Sequence, residues 1–175
     1  KVLNRVKSSD GHTWMIPTWF DQNPDKPWPG WASHSIWART DLLEKVGMTE
    51  ADLGTKEGVE KYLSETAKLK TAEGKTVIPM GFYDIGAVSI LSCFGVNTGV
   101  AGGAATAVKK SGDQFIFTVD DPGYKQAYQW MSKLYRGKLL DKEVITQKAE
   151  LFKEKMTQGV YAMTSGIMDA KLWEV

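Results

Sequence analysis

From residue 39 to residue 164, helix-period apolar stripes alternate with single short strand-like runs, and glycine or proline marks most junctions. Arg39 to Gly47 reads as a short helix with Leu42, Leu43 and Val46 on one face. Residues 55–70 give a longer amphipathic stripe, with Thr55 as N-cap and Gly58 where a capping box would carry Glu. A strand over 76–81 contains Pro79, an anomaly for a central strand, and a helix follows over 86–94. A strand at 114–119 places Phe115, Phe117 and Val119 in alternation. Asp121 then caps a helix whose first turn holds Pro122 and whose stripe is Tyr124, Ala127, Tyr128, Met131, Leu134 and Tyr135, closed by Gly137. A helix over 147–158 has Leu151, Phe152, Lys155 and Met156 inward. Strand 160–164 and a helix start through Lys171 complete the order. Upstream, residues 14–16 read as a strand stopped by Pro17. Single strands alternating with helices predict an α/β layered domain rather than a helical bundle.

The remaining composition excludes more than it assigns. The 175 residues balance 22 Lys and Arg against 21 Asp and Glu, so no broad basic face points to nucleic acid. One cysteine, Cys93, rules out an internal disulfide and a thiolate zinc site; its apolar neighbours predict a small buried hydrophobe. His12 and His34 lie in loops without metal-ligand spacing, and no nucleophile, Walker or zinc-protease motif occurs. Residues 97–112, rich in Gly, Ala and Thr, lack phosphate-loop spacing and read as a surface loop. No apolar run is long enough to span a membrane. The sequence calls for no cofactor and no metal.

Five of the seven tryptophans fall between residues 14 and 37. The segment 20–35 also carries Pro24, Pro27 and Pro29, which forbid a helix interior or a central strand. It reads as a long loop, a kind of segment that tends to carry function. Indoles offer flat apolar platforms to sugar C–H faces, and Asp21, Gln22, Asn23 and Asp25 beside them offer partners to hydroxyls. Trp28 and Trp31 read as ligand or partner contacts. Trp14, Trp37, Trp130 and Trp173 read as packing. Carboxylates at loop ends (Asp21, Asp25, Asp84, Asp169) would allow a glycosidase pair, but nothing in their spacing selects one.

Five segments in order then resemble one family. DGHTWMIP, IWARTDLLEKVGM, TKEGVEKYLSETAKLKTAEGKTVIPMG, DDPGYKQAYQWMSKLYRGKLLDKE and FKEKMTQGVYAMTSG are similar to successive motifs of the family 1 extracellular solute-binding proteins of ABC transporters. The second motif rests on Trp37, Arg39, Asp41, Leu42, Leu43, Lys45 and Gly47. Together the five span nearly all of residues 10–168. Within that family the motifs look like those of sugar- and oligosaccharide-binding lipoproteins, and more distantly like those of maltose-binding protein.

The resemblance implies a periplasmic-binding-protein-like fold of type II, two α/β lobes around a ligand cleft. It implies that this chain is partial, since members are more than twice as long. Residues 1–35 would hold the hinge-crossing segment and the Trp/Pro-rich loop, and residues 36–175 most of the second lobe. The implied function is a non-enzymatic substrate-binding component of an importer, presenting a sugar or oligosaccharide to membrane permease subunits. The protein would sit on the extracellular face, lipid-anchored, or in the periplasm. Family ligands are held by loops at strand ends, which selects Trp19, Asp21, Trp28 and Trp31, then Phe82, Tyr83 and Asp84, then Met168 and Asp169. Ile167–Met168 stand where maltose-binding relatives carry an aromatic, which leaves peptides and other small ligands open. The rival readings are a two-carboxylate carbohydrate hydrolase and a protein-interaction module built on the Trp-rich loop.

Overall fold

The centre of the fold is a three-stranded sheet whose middle strand is buried at every position. A computed structural model describes residues 35–83, 86–96, 100–101, 104–105 and 108–166. In chain order these give β1 (Ser35–Ala38), α1 (Thr40–Lys45), a 3-10 turn (Glu50–Gly54), α2 (Lys56–Thr66), β2 (Ile78–Gly81) and α3 (Gly86–Cys93). Four short strands follow: β3 (Val100–Ala101), β4 (Ala104–Ala105), β5 (Val108–Ser111) and β6 (Gln114–Phe117). Next come a 3-10 turn (Thr118–Asp120), α4 (Pro122–Arg136), α5 (Ala149–Thr157) and β7 (Tyr161–Gly166). The α/β class read from the sequence holds.

The sheet order is β1–β7–β2. β2 runs parallel to β7, pairing Ile78 with Tyr161, Met80 with Met163 and Gly81 with Thr164. That register leaves Pro79 out of the ladder, so its missing N–H costs no pairing. β1 runs antiparallel to β7, from Ser35 opposite Gly166 to Ala38 opposite Met163. As a result β2 and β7 finish, and β1 begins, at one edge of the sheet.

Helix packing follows from the apolar stripes. Tyr62 and Leu63 of α2, Ile90 of α3 and Trp130, Met131 and Leu134 of α4 meet Met80 and Met163 of the sheet in one core. Tyr62 is fully buried, and its hydroxyl donates to the Arg39 and Ala162 carbonyls, each at 3.1 Å. Phe152 and Met156 of α5 form a separate cluster with Tyr161. Caps lie where the sequence puts them: Gly58 N–H donates to Thr55 Oγ1 at 3.1 Å, and Gly123 N–H to Asp121 Oδ1 at 2.7 Å. A β-carbon at Gly58 would stand 1.7 Å from the Asp52 carbonyl oxygen, which explains a glycine in place of Glu.

Four expectations are corrected. Residues 35–38 form a strand, not the end of a loop or the approach to a helix; four residues are too few to show a period. The stretch 97–112 contains β3, β4 and β5, and β5 closes a hairpin with β6 through Gly112 at φ +59°. The strand expected over 114–119 stops at Phe117 and gives way to the 3-10 turn Thr118–Asp120; Phe115, Phe117 and Val119 are 77, 61 and 60% exposed. Cys93 is exposed, not buried. Its thiol is pushed above the ordinary value by partial desolvation, which disfavours the thiolate a nucleophile needs. Among the described residues no helix is long and apolar enough to cross a membrane, and no group of three or more metal-ligating side chains occurs.

Candidate functional site

In open α/β sheets, ligands lie beyond the carboxyl ends of parallel strands. Here that edge is where β2 and β7 stop. Three contacts build it. Ser165 Oγ donates to the Gly86 carbonyl at 2.5 Å, tying the end of β7 to the start of α3. Trp37 Nε1 donates to the Gly166 carbonyl at 3.2 Å, tying β1 to the same point. Gly86 itself lies so close that a β-carbon there would stand 2.5 Å from Phe82 Cβ and 2.7 Å from the Ser165 carbonyl oxygen.

Beside this edge opens a groove of about 410 Å³. Phe82, directly after β2, and Ala87 of α3 form its floor with Leu140 and Met131. Tyr128, Ser132 and Tyr135 of α4 form one wall, and Val144 and Ile145 the other. Positions 128, 132 and 135 share one helical face. Tyr128, Tyr135 and Ile145 are 46, 41 and 79% exposed, so three large apolar side chains rim a concavity rather than enter the core. Tyr124 packs on Tyr128 with ring centroids 4.8 Å apart, and a hydrogen bond between the two pushes the Tyr128 hydroxyl up to about 12. Tyr135 OH donates to the Lys142 carbonyl at 3.2 Å. Such a surface offers flat apolar faces with hydroxyls at their edges, the combination that a sugar ring matches.

A buried polar cluster supports the Val144–Ile145 wall. Lys155 Nζ donates to Asp141 Oδ2 and Glu143 Oε2, each at 2.6 Å, and to Gln147 Oε1 at 3.2 Å. Tyr161 OH donates to Asp141 Oδ2 at 2.5 Å and to Gln147 Oε1 at 3.1 Å. Burial alone would raise Asp141, but its hydrogen bonds from Lys155 and Tyr161 overcome this and hold it below the usual carboxylate range. Burial pulls Lys155 down, and its bonds to Asp141 and Glu143 outweigh that and leave it raised. Burial, with the Asp141 bond next, drives Tyr161 far above the ordinary phenol range, so it stays a donor.

These shifts set a pH window. A lowered Asp141 contributes stability above its unfolded value of about 3.9, and that is lost as pH falls through the lower folded value. A raised Lys155 contributes fully below its unfolded value of about 10.4, and that is lost as pH rises through the higher folded value. Thermal unfolding midpoints are therefore expected to be flat from about pH 5 to 9.5 and to drop on either side. A midpoint that climbs steadily across that window would contradict the assignment.

Of the residues selected from the sequence, Phe82 lines the groove and is 93% buried, with 7% of its surface accessible. Tyr83, its neighbour, turns the other way and packs on Phe152 with centroids 5.0 Å apart. Trp19, Asp21, Trp28, Trp31, Asp84, Met168 and Asp169 lie outside the described residues. Tyr128 and Tyr135 fall on the helical stripe that the sequence marks for packing, and Ile145 carries no sequence signal. The cue for the tyrosines was present: Ala127, Met131 and Leu134 already complete an inward stripe, leaving two aromatics over.

No family model matches the chain, and no curated protein sequence does either. Solved structures do. The S. pneumoniae ABC-transporter substrate-binding protein FusA in complex with kestose superposes with a TM-score of 0.68 at 19% identity, over 95% of this chain and 34% of that one. The chain carries part of the extracellular solute-binding-protein fold. An HMO-binding, ABC-transporter-associated solute-binding protein from Bifidobacterium longum infantis has this fold too, with TM-score 0.66 at 17% identity, over 77% of this chain and 30% of that one. Maltose-bound MalE3 of T. maritima matches at TM-score 0.53 and 22% identity, over 76% and 32%. The chain thus spans about a third of the length of the solute-binding structures it matches. As the sequence motifs predict, the shared part is a mixed helix and sheet lobe.

Proposed function

We propose that the chain is the ligand-binding lobe of a carbohydrate solute-binding protein that serves an ABC importer outside the cytoplasm. The observation that carries this reading is the aromatic groove beside the carboxyl ends of β2 and β7. It lies in a fold whose solved examples include complexes with kestose and maltose. Tyr128 and Tyr135 would stack on pyranose or furanose faces above the Phe82 floor, with Ser132 and the tyrosine hydroxyls reaching the ring substituents. Trp19, Asp21, Trp28, Trp31, Asp84, Met168 and Asp169 would complete the site from the strand-end segments. A second lobe would close over it, with residues 1–35 crossing the hinge, and the closed form would engage the permease. Binding needs no covalent step, no metal and no cofactor. An oligosaccharide is the favoured ligand, as in the kestose complex of a protein with this fold, and a lipid anchor fits a protein of this kind.

Calorimetric titration with kestose, maltose and longer oligomers of each tests the reading. Saturable binding to at least one oligosaccharide is expected, with the sugar recovered unchanged. Tyr128→Ala should weaken it by about two- to tenfold, since stacking on an aromatic ring is worth about 0.5–1.5 kcal/mol. Release of shorter sugars on prolonged incubation would instead establish the hydrolase reading.

A further inference from the structure

Gln147 is 8% exposed, and its side chain joins three elements at once. Its Nε2 donates to the Phe82 carbonyl at 2.7 Å. Its Oε1 accepts from Tyr161 OH of β7 at 3.1 Å and from Lys155 Nζ of α5 at 3.2 Å. The two ends of the amide therefore meet opposite demands. Toward Lys155 only an acceptor fits; toward the Phe82 carbonyl only a donor fits. A carboxylate of the same length satisfies the first and repels the second, and a lysine does the reverse. The same turn is held by Asp141 N–H to the Met80 carbonyl at 2.8 Å, Glu143 N–H to Asp141 Oδ1 at 3.0 Å and Gln147 N–H to the Glu143 carbonyl at 2.7 Å. Asp141 therefore anchors the start of the turn to β2, and Gln147 anchors its end to the residue that follows β2. Between the two anchors stand Val144 and Ile145, one wall of the groove, and Phe82 is its floor.

We propose that Gln147 is a positioning residue of the groove: its amide sets the spacing between Phe82 and the Val144–Ile145 wall, and so the shape offered to the ligand. The inference rests on reading the groove as the ligand site, but the clamp itself is testable without a ligand. Ile145 is 79% exposed, so little packing holds it and its place depends on the anchors on either side. A buried amide with every polar atom partnered specifies one arrangement more sharply than apolar packing does.

The test uses Gln147→Glu, which keeps the acceptor toward Lys155 and Tyr161 and loses the donor toward Phe82. Amide hydrogen exchange is read in three places: residues 143–147, residues 82–83, and α2 as an internal reference for global stability. The expected result is exchange at least tenfold faster in the first two segments, with α2 as in the wild type. Equal acceleration in all three would make Gln147 a contributor to global stability only, and no change anywhere would overturn the proposal outright. Gln147→Met, which buries no charge, is read in the same way if the glutamate variant does not fold. The oligosaccharide that binds the wild type is then titrated, and affinity is expected to fall at least tenfold in either variant. A wild type that binds no sugar counts against the functional reading, while the exchange data still decide the clamp. Unchanged affinity alongside faster exchange would show that the groove is loosened but is not the site.

Discussion

Replacing Lys155 with methionine should lower folding stability by about 3 kcal/mol at pH 7, the lower end of what breaking a buried ion pair costs. The side chain of Asp141 is 2% accessible and that of Lys155 14%. Methionine fills the volume of the lysine stem, so the loss is electrostatic rather than a cavity. It leaves a buried carboxylate without its cation, held only by Tyr161 OH and the Glu143 N–H. Those two bonds keep the cost from reaching the upper end of the range. The sign of the pH dependence is distinctive. Without Lys155, Asp141 would be raised in the folded state instead of lowered, so the variant should recover part of its deficit as pH falls toward 4.5. Asp141→Asn added to Lys155→Met should restore more than the sum of the single changes predicts, because the double variant buries no charge. Urea unfolding followed by circular dichroism at pH 7 and 4.5 measures all of this. A loss below 1 kcal/mol would mean that the cluster is solvated and contributes little.

The second large effect is expected from a single methyl group. A β-carbon at Gly81 would lie 2.2, 2.4 and 2.8 Å from Cε1, Cζ and Cδ1 of Tyr161. A flexible side chain could move aside, but this ring cannot do so cheaply. It is 2% exposed, its hydroxyl is held by Asp141, and its face stacks on Phe152 with centroids 5.4 Å apart at 30°. Overpacking of this kind costs about 3 kcal/mol, and it should also pull Tyr161 away from Asp141. Gly54→Ala provides the control, because nothing lies within 4 Å of its added carbon. Its effect should stay within about 0.5 kcal/mol. Equal behaviour of the two variants would contradict the packing described at β2.

Much of this fold was legible because the chain is locally consistent. The Asp121 cap, Pro122 and the Ala127–Met131–Leu134 stripe specify α4 without tertiary information, and Thr55 does the same for α2. β2 and β7 were legible as short apolar runs bounded by turns. β1 was not, since SIWA has no period of its own and becomes a strand only by pairing with β7. The β5–β6 hairpin was half legible: Gly112 marks the turn, yet β6 buries no face that would have betrayed it. Cys93 shows the limit of composition, since apolar neighbours in sequence did not bury it in space. At the site, Phe82 follows from its place after a parallel strand. Tyr83, one residue on, points to the α5 side, and nothing in the sequence separates the two. The polar cluster draws on Asp141, Gln147, Lys155 and Tyr161, each ordinary in its own segment. Its one advance sign was a lysine on the inward stripe of α5.

Whether the groove is the sugar site is read from the chemical-shift map of the labelled chain as an oligosaccharide such as kestose is added. Saturable shifts are expected at Phe82, Tyr128, Tyr135 and Ile145, with the far end of the sheet around Arg39 and Gly159 unmoved. Saturable shifts confined to that far end, or none from any oligosaccharide in a chain whose spectrum is that of a folded protein, would contradict the groove as the sugar site.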